Sequence, residues 1–271
     1  SSRGIFREVG AWGALACVGC TGGALARGAR EDLGMRTVCG VARRVQNLRG
    51  RGRTPDTGRA VSPLVGGLRP LLTDRIGDQR RGGAVLDQVD GTTCGSAVLV
   101  AMAAWADPTE LDRLEAPSAA IAAAGAKAGI AAGFGARYDE RQRQVHREST
   151  RFWPQALGTT PWGMVGWLRN NVPGAGPYRV RLIDDRSQVD LDAALAAVDA
   201  ALAAGRPVPL LVGGLLPRHY CLALGRQDSG DWRVYEPSSG QVRALDPGLI
   251  RRRTLRPVLG FDRLHAVLLP V

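Results

Sequence analysis

The sequence predicts an α+β domain in which helices come first and an antiparallel sheet follows. Three observations carry that prediction. Residues 96–106 (SAVLVAMAAWA) form an apolar run without charge, and Ala-rich helical sequence continues over 109–134. From residue 178 onward, short apolar or alternating runs recur between turn residues, as strands do. The turn Asp228-Ser229-Gly230-Asp231 is tight and polar, suited to joining antiparallel neighbours. A block of helices followed by a block of strands is the α+β pattern. With 45% hydrophobic and 23% charged residues over 271 positions, the chain can bury a core and is not wholly disordered. Its 36 glycines show no three-residue period, which excludes a collagen-like chain.

The elements follow in order. Residues 1–50 read as one or two weak helices, with Leu33, Val38, Val41, Ala42, Val45 and Leu48 at roughly helical spacing. Residues 50–62 (GRGRTPDTGRAVS) read as a linker, and Arg80-Arg81-Gly82-Gly83 as a second break. The expected division is therefore a basic Arg/Gly-rich region at 1–83, partly helical or flexible, and a folded domain at 84–271. Asp107-Pro108 ends the apolar helix, residues 137–151 read as a charged, exposed segment, and 161–170 as a short helix opened by Pro161. Residues 178–184 read as a strand. The clearest helix is 191–204, with Asp190 as N-cap, a Leu191, Leu195, Val198, Leu202 stripe, and Gly205 as its stop. Strands are expected at 207–212, 219–225 and 231–235, with further ones at 241–245 and 265–271.

The charge is concentrated. The chain carries +11, but residues 1–87 hold 15 arginines against 7 acids, while 88–271 hold 21 basic and 18 acidic residues. Lys127 is the sole lysine among the 36 basic residues. Two readings are open for the arm: an anionic partner, either nucleic acid or a membrane surface, or the codon bias of a GC-rich coding sequence. No zinc-finger spacing, basic zipper or stacking motif accompanies the arginines, so specific nucleic-acid recognition has little support. Oligomeric state is left open.

Five cysteines, an odd number in a long chain, do not read as a disulfide framework. Cys17 and Cys20 have C-x-x-C spacing, but in an apolar Gly/Ala run with no second pair and no nearby histidine. Small packing residues explain them better than zinc or redox chemistry, and no metal is expected. Residues 11–26 form an apolar stretch ending in Ala24-Leu25-Ala26, the small-x-small shape of a signal cleavage site. A short helix is the competing reading, so localisation stays between cytoplasmic and exported.

The chemistry is concentrated at Gln88-Val89-Asp90-Gly91-Thr92-Thr93-Cys94-Gly95-Ser96. Cys94 stands where a polar turn meets a buried helix. A helix N-terminus offers free N–H groups and partial positive charge, both of which favour the thiolate. Gly95 lets a substrate or another backbone segment approach closely. A thiol nucleophile needs a base, and the histidines are His146, His219 and His265. His146 lies in the charged run QRQVHREST and reads as solvated; His265 opens the last strand and reads as a core or edge residue. His219 opens the strand HYCLALG, where it is held rigidly and can face a cleft. Glu236 closes the next strand, from which its carboxylate can orient the imidazole. Cys221 shares a strand face with His219 and reads as core. Trp162 is the tryptophan best placed to line a cleft, and Asp90 either shapes the turn before Cys94 or caps it.

These motifs resemble a known family. Gln88, six residues before Cys94, looks like the papain-type pattern. Q-x5-C-G, a distant H-Y strand and Y-[acid]-P-x-x-G resemble the bacteriocin-processing (double-glycine) peptidase-like branch of papain-fold proteins. Gly158-Thr159-Thr160-Pro161-Trp162-Gly163 resembles a connecting motif of that branch. The resemblance covers about residues 84–271. It implies a papain-like fold, with a helical part carrying the nucleophile packed on an antiparallel sheet carrying the histidine. It further implies Cys94 as nucleophile, His219 as general base, Gln88 as oxyanion donor and Glu236 as third member, with Gly95 and Trp162 near the substrate. Glu236 departs from the Asp or Asn usual there, and the extra methylene demands a different backbone offset. The expected activity is thiol-dependent cleavage of amide bonds in a peptide or protein, with no cofactor. The alternatives are transglutaminase- or deamidase-like acyl transfer, an inactive peptide-binding module, and a nucleic-acid- or membrane-associated protein dominated by its basic arm.

Overall fold

The structure is a computed structural model that describes residues 35–49, 71–73, 75–115, 133–151 and 154–271. The apolar stretch at 11–26, the C-x-x-C pair, the linker at 50–62 and residues 116–132 of the Ala-rich stretch lie outside the described residues. By contacts the chain divides into Ser1–Met35 and a compact unit, Arg36–Val271.

It opens with α1 (Val38–Arg49), the short strand β1 (Gly77–Asp78) and a small hairpin of β2 (Arg80–Arg81) and β3 (Ala84–Val85). Helices α2 (Cys94–Ala106), α3 (Pro108–Glu115), α4 (Phe134–Ser149) and α5 (Pro161–Asn171) follow. Then come β4 (Tyr178–Leu182), α6 (Gln188–Ala203), β5 (Val208–Gly213), β6 (Pro217–Arg226), β7 (Trp232–Glu236) and β8 (Gln241–Leu245). Two short helices, α7 (Pro247–Arg252) and α8 (Arg256–Leu259), lead to the last strand, β9 (Arg263–Pro270). Among the described residues, one seven-stranded sheet has the order β1-β8-β7-β6-β5-β9-β4, with every pairing antiparallel. The architecture is α+β, and no described helix is long and apolar enough to cross a membrane.

Burial explains the order of the sheet. All eight residues of β9 are buried, so this C-terminal strand sits inside the sheet, between β5 and β4. Its His265 is fully buried, with Nε2 3.0 Å from the Gly214 carbonyl, which decides between core and edge in favour of core. Helix α2 has no polar face and is buried at every position but Trp105, as a core helix must be. It packs against β6 and α4. Helix α6 joins β5, β6, β7 and β9 in an apolar cluster that includes Leu195, Val198, Leu210, Cys221, Val234 and Val267.

Four expectations change. Helix α1 and strand β1 belong to the compact unit, which therefore begins at Arg36 and not near Ala84. Long-range ion pairs explain this: Arg36 meets Asp184 and Arg43 meets Asp190, each at 3.1 Å, and Thr37 Oγ1 donates to Asp185. Those aspartates also choose the docked face of α1. Cys39 is buried, while Val41, Val45 and Leu48 of the expected apolar stripe are exposed. Second, Arg80–Val85 is a hairpin and not a break, with Gly82 and Gly83 at positive φ forming its turn. Third, the charged segment at 137–151 forms most of α4, which buries Tyr138, Gln142, Val145, His146 and Ser149 along one face. Fourth, α6 is capped by Ser187, whose side chain accepts from Asp190 N. Asp190 sits in the first turn, where its carboxylate binds Arg43, Arg181 and the Asp184 amide.

Candidate active site

The segment before Cys94 is held from three sides. The Tyr235 hydroxyl donates to the Leu86 carbonyl at 2.6 Å, and the Gln88 backbone N–H donates to the Pro237 carbonyl at 2.8 Å. From α4, Gln142 Nε2 donates to the Asp87 carbonyl at 2.8 Å while its Oε1 accepts from Val89 N. Gly240 is required where this segment meets β8: its φ is +62°, and a Cβ there would lie 2.5 Å from Val85 Cγ1. Within the turn, Asp90 Oδ1 accepts from Thr92 N at 2.8 Å and from Thr92 Oγ1 at 2.7 Å. Asp90 therefore shapes the turn. Partial burial opposes its charge, but these Thr92 hydrogen bonds hold its carboxyl below the usual value.

Cys94 is the first residue of α2 and is buried. Thr93, the N-cap, makes no side-chain hydrogen bond to the helix, so it does not occupy the first-turn N–H groups beside the sulfur. A Cβ at Gly95 would lie 3.2 Å from Thr159 Cβ and 3.4 Å from Tyr220 Cδ2. The close approach at Gly95 is thus made by the protein's own chain. Thr159 belongs to the Gly158–Gly163 motif, which rests against α2. There Thr160 caps α5, accepting from Gly163 N, and Trp162 is partly buried as the second residue of that helix.

His219 is buried on β6 and has partners on several sides. Its ring N–H, Nε2, donates to Glu236 Oε1 at 2.7 Å. The side chains of Cys94 and Cys221 lie close enough to influence the ring, and Phe261 packs at a tilt with centroids 5.9 Å apart. Burial disfavours a charged imidazole, but the contacts with Cys221, Cys94 and Glu236 outweigh it and raise the ring well above its ordinary value. Burial likewise opposes the Glu236 carboxylate. Hydrogen bonds from His219, Ser239 and the Ser238 amide reverse that and bring it down to about 2.

The sheet register accounts for glutamate at this position. Leu222 pairs with Tyr235, so the next rung sets Glu236 across from Cys221 and leaves His219 on the diagonal. Diagonal neighbours are roughly 7–8 Å apart at the backbone, which favours the longer carboxylate. The turn after β7 completes its shell: Ser238 N donates to Oε1 at 2.9 Å, Ser239 N to Oε2 at 3.0 Å, and Ser239 Oγ to Oε2 at 2.7 Å. Arg243 binds Ser239 Oγ and approaches Oε2 to 3.8 Å.

The structure thus brings Cys94, His219 and Glu236 together. Gln88 is tied to the same turn: Ser238 Oγ donates to its Oε1 at 3.2 Å. Its amide nitrogen, the expected oxyanion donor, is directed to the Asp90 carbonyl at 2.6 Å. His146, expected in solvent, is buried on α4 with Nε2 3.2 Å from the Gln155 carbonyl. Sequence reasoning passed over Gln142, Ser238, Ser239 and Phe261. The pair of serines after Glu236-Pro237 was the available signal, since short hydroxyl side chains there can hold the preceding carboxylate. Ligand atoms of His219, Cys221 and Glu236 all lie within 4.8 Å of one another, the one metal-competent cluster among the described residues. No protein-family model matches the chain, and no curated protein matches it.

Proposed function

We propose that the chain is a thiol-dependent hydrolase of papain-like type that cleaves amide bonds in a peptide or protein. One observation carries the proposal: a single buried imidazole hydrogen-bonds a carboxylate that has three further donors and lies beside a cysteine at a helix N-terminus. The packing of the nucleophile's helix α2 on the histidine's strand β6 supports a papain-like arrangement.

In this reading the Cys94 proton moves to His219 and leaves the thiolate as nucleophile. Glu236 stabilises the imidazolium and holds the ring in place. The thiolate attacks the substrate carbonyl carbon, and the developing oxyanion is met by the Cys94 N–H at the start of α2. Gln88 adds its amide by using its second N–H or by leaving the Asp90 carbonyl. Collapse of the tetrahedral intermediate breaks the C–N bond, and the imidazolium gives its proton to the leaving amine. His219 then takes a proton from water, and the hydroxide releases the acid from Cys94.

Iodoacetamide labelling at neutral pH tests the pair. Cys94 should react faster than free cysteine, and His219→Ala should abolish the advantage. Labelling no faster than free cysteine overturns the proposal.

A further inference from the structure

Cys221 takes no part in that mechanism, yet its surroundings suit another chemistry. It follows His219 by two residues on β6, so strand alternation sets both side chains on one face. The β6–β7 register sets Glu236 across from it. A sulfur, an imidazole nitrogen and a carboxylate oxygen therefore meet within 4.8 Å. Cys221 is 0% exposed, Glu236 4% and His219 6%.

We propose that His219, Cys221 and Glu236 form a binding site for a zinc-type divalent cation, and that occupation withdraws His219 from Cys94. The inhibitory half rests on the hydrolase reading; the binding half does not. Nitrogen, thiolate and carboxylate are the donors zinc accepts in one tetrahedral shell. Bonds of about 2.0–2.3 Å in such a shell place ligand atoms roughly 3.3–3.8 Å apart. Atoms already within 4.8 Å need only side-chain adjustment to reach that spacing. The His219–Glu236 contact of 2.7 Å would have to open by about 0.6 Å to fit the tetrahedral shell.

The supporting shell is in place. The two serine amides and the Ser239 hydroxyl fix the carboxylate, as outer hydrogen bonds fix metal-bound carboxylates. A coordinated cation deprotonates the Cys221 thiol. Binding therefore releases the Cys221 proton and any proton on His219 Nε2, so affinity rises with pH. Three protein ligands leave a fourth position for water. Thiolate and imidazole disfavour calcium and magnesium, which take oxygen ligands.

Cobalt(II) is the optical probe. The full chain, chelator-stripped and carrying Cys17→Ser and Cys20→Ser so that this pair supplies no thiolate, is titrated with cobalt and then with zinc. The expected result is a saturable thiolate-to-cobalt charge-transfer band at one equivalent, displaced by zinc. It should be lost in Cys221→Ser and retained in Cys94→Ser. Zinc should also slow labelling of Cys94 by about tenfold or more in the parent but not in Cys221→Ser. No saturable band, or a band that survives Cys221→Ser, overturns the site. Should Cys221→Ser lose its fold by circular dichroism, Cys221→Ala supplies the same comparison. A zinc-displaceable band in a protein whose Cys94 labels no faster than free cysteine upholds the cation site and sinks the hydrolase reading. Fast labelling without a band does the reverse.

Discussion

Glu236 reaches His219 across a diagonal of the β6–β7 ladder: Oε1 lies 2.7 Å from Nε2 although the direct rung faces Cys221. Side-chain length and strand register are therefore matched, and the Ser238-Ser239 turn holds both carboxylate oxygens in place.

Glu236→Asp should behave as a loss of the contact and not as a conservative change. It draws the carboxylate back by about one C–C bond, 1.5 Å, while the turn still offers it backbone donors. Labelling of Cys94 at neutral pH should slow by about tenfold or more, the loss typical when an orienting partner is removed. Glu236→Gln keeps the length but not the charge, and should also slow labelling. An aspartate variant as fast as the parent would show that the length match is irrelevant.

Acid stability should depend on Glu236. Its folded value, about 2, lies below the ordinary 4.5, because hydrogen bonds from His219 and the serines outweigh the opposing effect of burial. A carboxyl depressed on folding adds stability that is complete above its unfolded value and lost as pH falls through its folded one. The urea midpoint of the parent should fall between about pH 4.5 and 2, and more steeply than that of Glu236→Gln. Parallel profiles for the two proteins would contradict the assignment.

Gly95→Ala should be costly in both fold and site. The new methyl would stand 3.2 Å from Thr159 Cβ and 3.4 Å from the Tyr220 ring, so one neighbour must shift. Overpacking of this kind costs about 1–3 kcal/mol, readable as a lower denaturation midpoint. Cys94 labelling should change with it, because Gly95 is the next residue of α2. An unchanged midpoint would mean that the Thr159 segment yields freely.

Gln142→Leu should loosen the segment before Cys94 from a distance. It removes the clamp on Asp87 O and Val89 N while filling the same space. Leaving those two backbone groups without this partner should cost about 1–3 kcal/mol. Amide exchange at Val89 should accelerate relative to β6. Unaltered protection there would assign the restraint to Tyr235 and Pro237 alone.

Several elements were legible in local sequence. The uncharged run that became α2 admits only a buried helix, and Pro161 and Gly205 mark the ends they occupy in α5 and α6. Candidates for nucleophile, base and acid stood out because Cys94 falls at a helix start, His219 in the first residues of β6, which opens two residues earlier than expected at Pro217, and Glu236 at the end of β7. The docked face of α1 was not legible, because Asp184, Asp185 and Asp190 choose it from more than 140 residues away. Nor was the buried face of α4, where polar Gln142 and His146 break the apolar period.

Periodicity, charge and turn residues act over a few positions, so the sequence by itself determined the α+β class, most element positions and the residue types available for chemistry. Only the tertiary structure decided which of them meet. It set Glu236 on the diagonal to His219, turned the Gln88 amide toward Asp90, and put Cys221 in reach of both His219 and Glu236. Those outcomes depend on strand register and on hydrogen bonds between segments such as Leu86 and Tyr235, 149 residues apart, a separation no local pattern spans.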